Sequence, residues 1–203
     1  MLFSVAAEEG IQFKIARGGE ITPYIQDIIK ISDSFYSQYP YLYDGAQSDE
    51  EFYLRLYARW PDSWLAMVFD QEKAVGYAIG VPMKDTPVGH APLSANGHAI
   101  DSLFLLGEIV LLEPYRGKQI GRKMVQQMER FAKDELNCKA ICLMQIDEAS
   151  VLMPKPENYH ACAGFWVKLG YEPLRSPTFQ LNWKNVNAPD ESDHTMFYWV
   201  KQL

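Results

Sequence analysis

No apolar run in this chain approaches the roughly 18 residues that a membrane-spanning helix requires, which argues against a helical membrane protein. Cysteine is scarce: there are three, Cys138, Cys142 and Cys162. An odd number without metal-ligand spacing excludes a disulfide scaffold or a zinc site and suits a reduced cytosol. A basic excess is missing as well. Lys and Arg number 19 against 26 Asp and Glu, for a net charge of -7, which argues against nucleic acid as the main partner and favours a cationic one. The opening Met1-Leu-Phe-Ser-Val-Ala-Ala-Glu-Glu9 lacks a basic n-region and a full apolar segment, so it does not read as a signal peptide. No Gly-x-Ser-x-Gly elbow is present, which speaks against a hydrolase of that type.

What remains is an ordinary soluble composition, 48% hydrophobic and 22% charged over 203 residues, best read as one domain spanning 1–203. The pattern alternates strand and helix. Gln12 to Arg17 reads as a strand. Ile21 to Tyr36 carries a helical apolar stripe, with Thr22-Pro23 at its start. Ser48-Asp49-Glu50-Glu51 reads as a capping box for a second helix through Phe52, Leu56 and Tyr57. Trp64 to Phe69 and Ala74 to Val81 form a hairpin. Residues 82–102 read as a long loop, a kind of segment that is often functional. A strand from Phe104 to Leu112 follows, then a helix from Lys118 to Leu136 with Ile120, Met124, Met128, Phe131 and Ala132 on one face. Lys139 to Ile146 is a buried-type strand, Tyr159 to Leu169 a short helix, Tyr171 onward a strand and His194 to Lys201 the last strand.

The most informative stretch is Glu108-Ile-Val-Leu-Leu-Glu-Pro-Tyr-Arg-Gly-Lys-Gln-Ile-Gly121. A strand ends near Pro114, a basic turn follows, and a helix begins. Such a junction gathers free backbone N–H groups and the positive end of a helix dipole, a site suited to a pyrophosphate. The turn Arg116-x-x-x-x-Gly121 resembles the acetyl-CoA motif of the GNAT N-acetyltransferase superfamily. Phe165-Trp-Val-Lys-Leu-Gly-Tyr171-Glu-Pro is similar to that family's second acyl-CoA segment, and Met196-Phe-Tyr-Trp-Val-Lys-Gln-Leu203 to its C-termini. The resemblance implies a mixed, mainly antiparallel sheet of about six to seven strands flanked by about four helices, an α/β fold.

The resemblance also implies roles. Acetyl-CoA is the expected co-substrate, without a metal. Its pantetheine arm would pair with the strand near Leu111 and Leu112. Its pyrophosphate would sit on the amides of Gly117, Lys118, Gln119, Ile120, Gly121 and Arg122, aided by the cations Arg116, Lys118 and Arg122. Gln119 replaces the family's usual internal glycine; it can still donate its N–H if its φ is negative, which a first-turn position would allow. Glu108, with apolar sequence neighbours, is the expected base for the incoming amine. Where the family often carries a tyrosine acid, this chain has Phe165 and Trp166; Tyr159 and Tyr198 are the remaining hydroxyls of interest. Clustered tyrosines in Phe35–Gly45 beside Asp49, Glu50 and Glu51 would suit a cationic amine.

The expected function is therefore acetyl transfer to a primary amine, on a small cationic molecule or a protein, directly within a ternary complex. The alternatives are a CoA-binding sensor or interaction module without catalysis, and a transferase for longer acyl groups or protein lysines. Cytoplasmic residence, no membrane or nucleic-acid partner, and an open question of homodimerisation complete the expectation. His90, His98 and His160 carry no assigned chemistry, and His194 is placed at the start of a strand.

Overall fold

A computed structural model describes residues 10–87 and 89–203 of the chain. The reading of Met1 to Glu9 lies outside them. Seven strands form one sheet in the order β1-β2-β3-β4-β5-β7-β6. They are β1 (Ile11–Arg17), β2 (Trp64–Asp70), β3 (Lys73–Pro82), β4 (Leu103–Leu111), β5 (Ala140–Ile146), β6 (Glu172–Lys184) and β7 (Glu191–Gln202). Neighbours are antiparallel except β4 and β5, which run parallel. A parallel pair needs a crossover, and helix α4 (Ile120–Arg130) supplies it.

Helices cover both faces of the sheet, so the central strands are buried on both sides and read as near-continuous apolar runs. On one face, α1 (Ile25–Tyr36) and α2 (Gln47–Arg59) pack through Ile28, Ile29, Leu54 and Tyr57 against Leu65, Tyr77, Ile79 and Val110. On the other, α4 and the short α5 (Ala163–Lys168) bury Met124, Val125, Met128 and Trp166 against Ala66, Ala78, Phe104 and Ile141. The face expected on α4, Ile120 through Ala132, is buried throughout.

The feature that positions the site is a bulge in β4. Glu108 and Leu106 oppose the consecutive residues Ile79 and Gly80, so Gly107 is the extra residue. A bulge bends its strand and ends regular pairing. The β4–β5 ladder accordingly stops at Leu106 with Leu143, and beyond it the two strands are unpaired, which leaves an opening between them.

Several local expectations need correction. The first α-helix begins at Ile25, after a 3-10 turn over Gly18–Tyr24 that contains Pro23. Proline has no N–H to contribute to an α-helical ladder, and the tighter turn accommodates it. Ser48 does not cap α2: the helix starts at Gln47 with Ala46 at its cap, which puts Ser48 inside the first turn. The 82–102 segment is not structureless. It holds α3 (His90–Ala95) between 3-10 turns at Met83–Asp85 and Ile100–Ser102, with Leu93 fully buried; a six-residue helix is too short to show periodicity. Helix α4 changes to a π-turn over Phe131–Glu135, and α5 begins at Ala163 rather than Tyr159. Among the described residues no helix is long and apolar enough to cross a membrane.

Candidate active site

The basic turn folds into a concave nest. Gly117 (φ 76°) and Gln119 (φ 61°) both take the left-handed conformation. The negative φ that a first-turn position would allow is not met: Gln119 caps α4 from outside the helix. From Gly117 to Arg122 no N–H finds an acceptor among the described residues, and Lys123 is the first to bond, to the Gln119 carbonyl at 3.1 Å. Alternating left-handed residues turn successive N–H groups inward, and the α4 dipole adds its positive end. Lys118 and Arg122 are exposed beside the nest.

Arg116 points elsewhere. Its Nε donates to the Leu111 carbonyl at 2.8 Å, and its guanidinium lies 5.7 Å from the Phe35 ring centre. Leu112 has both backbone groups engaged: its N–H donates to Val75 at 2.9 Å, and its carbonyl accepts from Tyr115 at 3.0 Å. By the two-residue alternation of a strand, Leu112, Val110 and Glu108 direct their backbone groups toward β3. Ile109 and Leu111 direct theirs into the opening.

Side chains alternate too. Ile109 and Leu111 pack on the α4 face, whereas Val110 packs on the α1–α2 face, which Glu108 shares. The spatial neighbours of Glu108 are tyrosines, not the apolar residues that flank it in sequence. Tyr77 on β3 donates its hydroxyl to Glu108 Oε2. Tyr36 of α1, Tyr41 and Tyr43 of the connecting loop, and Tyr53 and Tyr57 of α2 all lie within range of its charge. Burial raises the pKa of these hydroxyls and Glu108 adds to the effect, so all stay protonated at neutral pH. Burial likewise pushes the Glu108 carboxyl above its ordinary value, and the Tyr77 hydrogen bond pulls it down.

The bulge makes room for this wall. A Cβ on Gly107 would lie 2.1 Å from the Tyr57 hydroxyl, which is paired with the Tyr53 hydroxyl at 2.9 Å. Further along the wall, Glu50 accepts from Ser32 Oγ at 3.1 Å. Burial, then the charge of Asp33, pushes the Glu50 carboxyl up to about 7.

Sequence reasoning missed the clasp behind this wall. The β6–β7 hairpin grips the α1–α2 loop: Trp183 Nε1 donates to the Tyr41 carbonyl at 3.0 Å, and Asp44 N–H to Lys184 at 2.8 Å. His194 lies flat on Trp183, ring centres 3.6 Å apart. No local signal joins Tyr41 to Trp183. The hydroxyls once available as acids are committed. Tyr198 donates to the Gly89 carbonyl at 3.0 Å, and Tyr159 to Glu148 at 2.9 Å. Trp166 is core, edge-on to Phe165 and Tyr171. His90 binds the Met83 carbonyl at 2.9 Å and serves the 82–102 segment.

A split parallel pair with an N–H nest at the crossover helix defines an acyl-CoA transferase type of fold. The acetyltransferase (GNAT) family model matches residues 28–153, and the chain belongs to that family of acetyltransferases. No curated protein matches it in sequence. Solved structures resemble it in fold. An acetyltransferase from Streptococcus agalactiae is 16% identical with a TM-score of 0.61, covering 97% of this chain and 100% of its own. Salmonella typhimurium yncA, with its cofactor acetyl-CoA, is 10% identical with a TM-score of 0.59, covering 96% and 95%. Arabidopsis thaliana NAA60, in complex with a bisubstrate analogue, is 9% identical with a TM-score of 0.60, covering 95% and 99%.

Proposed function

We propose that the chain transfers the acetyl group of acetyl-CoA to the primary amine of a cationic acceptor, directly in a ternary complex, with Glu108 as base. The observation that carries this reading is the position of Glu108: its carboxylate faces the α1–α2 side of the sheet at the point where β4 and β5 part. Cofactor from the α4 side and amine from the tyrosine side would meet there.

On the cofactor side, the amides of Gly117, Lys118, Gln119, Ile120, Gly121 and Arg122 would take the pyrophosphate, with Lys118 and Arg122 as counter-charges. Leu111 and Ile109 are the backbone partners for pantetheine, since Leu112 is already bonded to β3. Arg116 would leave the Leu111 carbonyl and become free to reach a phosphate oxygen.

On the acceptor side, an alkylammonium of pKa near ~10.4 is neutral in only about one molecule in 10³ at pH 7. Glu108, or a water it holds, takes the ammonium proton. The amine then attacks the acetyl carbon, the C–N bond forms, the C–S bond breaks to release CoA thiolate, and the second nitrogen proton passes to the departing sulfur through solvent. A thiol pKa near ~8.5 makes that thiolate a tolerable leaving group without a tyrosine acid. The Ile109 N–H, aimed into the opening, would hold the oxyanion. Tyrosine faces beside Glu50, Asp33 and Glu108 would attract the cation.

Calorimetry with acetyl-CoA and a thiol-release screen over polyamines, aminoglycosides, amino acids and lysine peptides test the proposal. Binding with turnover of a cationic amine is expected. Binding with no turnover of any acceptor would return the chain to the non-catalytic CoA-binding alternative, and no binding at millimolar acetyl-CoA would end both.

A further inference from the structure

We infer that Tyr77 is the positioning residue of the Glu108 carboxylate, holding its rotamer toward the tyrosine wall and keeping it in the form that accepts a proton. This rests on Glu108 being the base of the proposed transfer. Across β3 and β4, Tyr77 opposes Val110 and Glu108 opposes Ile79. Tyr77 and Glu108 are therefore diagonal neighbours on one face, a spacing that long side chains bridge.

The Tyr77 bond is obligatory in a way that the other tyrosine contacts are not. Tyr77 is fully buried, and among the described residues Glu108 Oε2 is the only acceptor its hydroxyl has. A buried hydroxyl without a partner is costly, so the carboxylate is held wherever the ring is held. The Tyr57 hydroxyl is equally buried but is spent on Tyr53. Burial and the Glu108 charge keep Tyr77 protonated, so it donates at every working pH. A hydrogen bond to the ionised form favours that form. Without it, burial acts on Glu108 unopposed.

The groups facing Glu108 are Tyr36 from α1, Tyr41 and Tyr43 from the loop, Glu50, Tyr53 and Tyr57 from α2, and Tyr77 from β3. Of these Glu50 is the one other carboxyl, pushed up to about 7 by burial and then by the charge of Asp33.

Tyr77→Phe keeps the ring and removes the donor. Carbon-13 carboxyl NMR, with the Glu108 signal assigned by its loss in Glu108→Gln, should show Glu108 titrating about one unit higher in Tyr77→Phe. The acid limb of kcat/KM for an acceptor found in the screen should move up equally. Activity would fall about tenfold below that limb and recover above it, with the acetyl-CoA KM unchanged. Tyr57→Phe should move neither. In the wild-type protein, which needs no variant to fold, the Tyr77 ring carbon bearing the hydroxyl should show a step at the Glu108 pKa. An unmoved Glu108 titration in Tyr77→Phe, an equal shift in Tyr57→Phe, or no step at Tyr77 would each overturn the assignment. The base reading fails separately: Glu108→Gln with unchanged thiol release removes the base and leaves these titrations standing.

Discussion

On the α4 side of the opening, the groups suited to a pyrophosphate come from one unbroken stretch, Arg116 to Arg122. On the α1–α2 side, the groups around Glu108 come from α1, the loop after it, α2, β3 and β4, and the loop is clasped by Trp183 from the far end of the chain. The nest is local: its N–H directions follow from the φ angles at Gly117 and Gln119 and from the start of a helix. The tyrosine wall is assembled by packing: Tyr77 of β3 reaches Glu108 of β4, and the loop that carries Tyr41 is held by Trp183 of β6. Local sites tolerate sequence change near their geometry; assembled ones are exposed to change at any supporting element.

The largest test separates the two sides chemically. Glu108→Gln should lower turnover by about 10²–10⁴, while calorimetry finds acetyl-CoA binding as tightly as before. A parallel loss of binding would mean that the two sides are not independent. Gly107→Ala comes next. Its Cβ would fall 2.1 Å from the Tyr57 hydroxyl, and that ring is wedged edge-on between Tyr53 and Trp60 at 5.2 and 5.5 Å. Overpacking of this kind costs about 1–3 kcal/mol, which a denaturant melt would read. The acceptor reaction should weaken with it and the nest should not. An unchanged melt would show that the wall yields more easily than its packing implies.

The same contrast explains what could be read from the chain alone. The anion turn was legible because strand end, basic turn and helix start are consecutive, and the family motif repeats that order. Glu108 was legible through its strand, yet its environment was misjudged: Ile109 and Val110 are its sequence neighbours, but Tyr57 and Tyr77 are its surroundings. Tyr77 reads in sequence as one more apolar strand residue. The hold of Trp183 on Tyr41 spans 142 positions and leaves no periodic trace. Gln119 differs because it stands outside the helix as its cap rather than in the first turn, and the turn there is left-handed.

Gln119 gives a smaller test, on the local side. A left-handed non-glycine residue costs about 1 kcal/mol or slightly more, and nothing else in the turn requires a side chain there. Gln119→Gly should raise the melting temperature by about 2–4 °C for a chain of this size. Acetyl-CoA binding should hold or tighten, because the N–H directions are already those that glycine prefers. A lower melting temperature would mean that the glutamine side chain supports the turn.

The smallest expected effect tests the assembled side at its most distant support. Trp183→Phe keeps a ring for His194 to stack on but removes the Nε1 hydrogen bond to the Tyr41 carbonyl, a bond worth about 0.5–1 kcal/mol net. Only the α1–α2 loop feels that loss directly, and Tyr41 stands in the wall that an acceptor would touch. The acceptor KM should therefore rise about twofold to fivefold. The acetyl-CoA KM should stay fixed, since among the described residues no hydrogen bond joins the nest to β6. If both constants rise together, the hairpin supports the whole domain, not one wall. If neither moves, the remaining backbone bonds from Asp44 and Val186 are enough to hold the loop, and the wall is less dependent on its distant parts than its construction indicates.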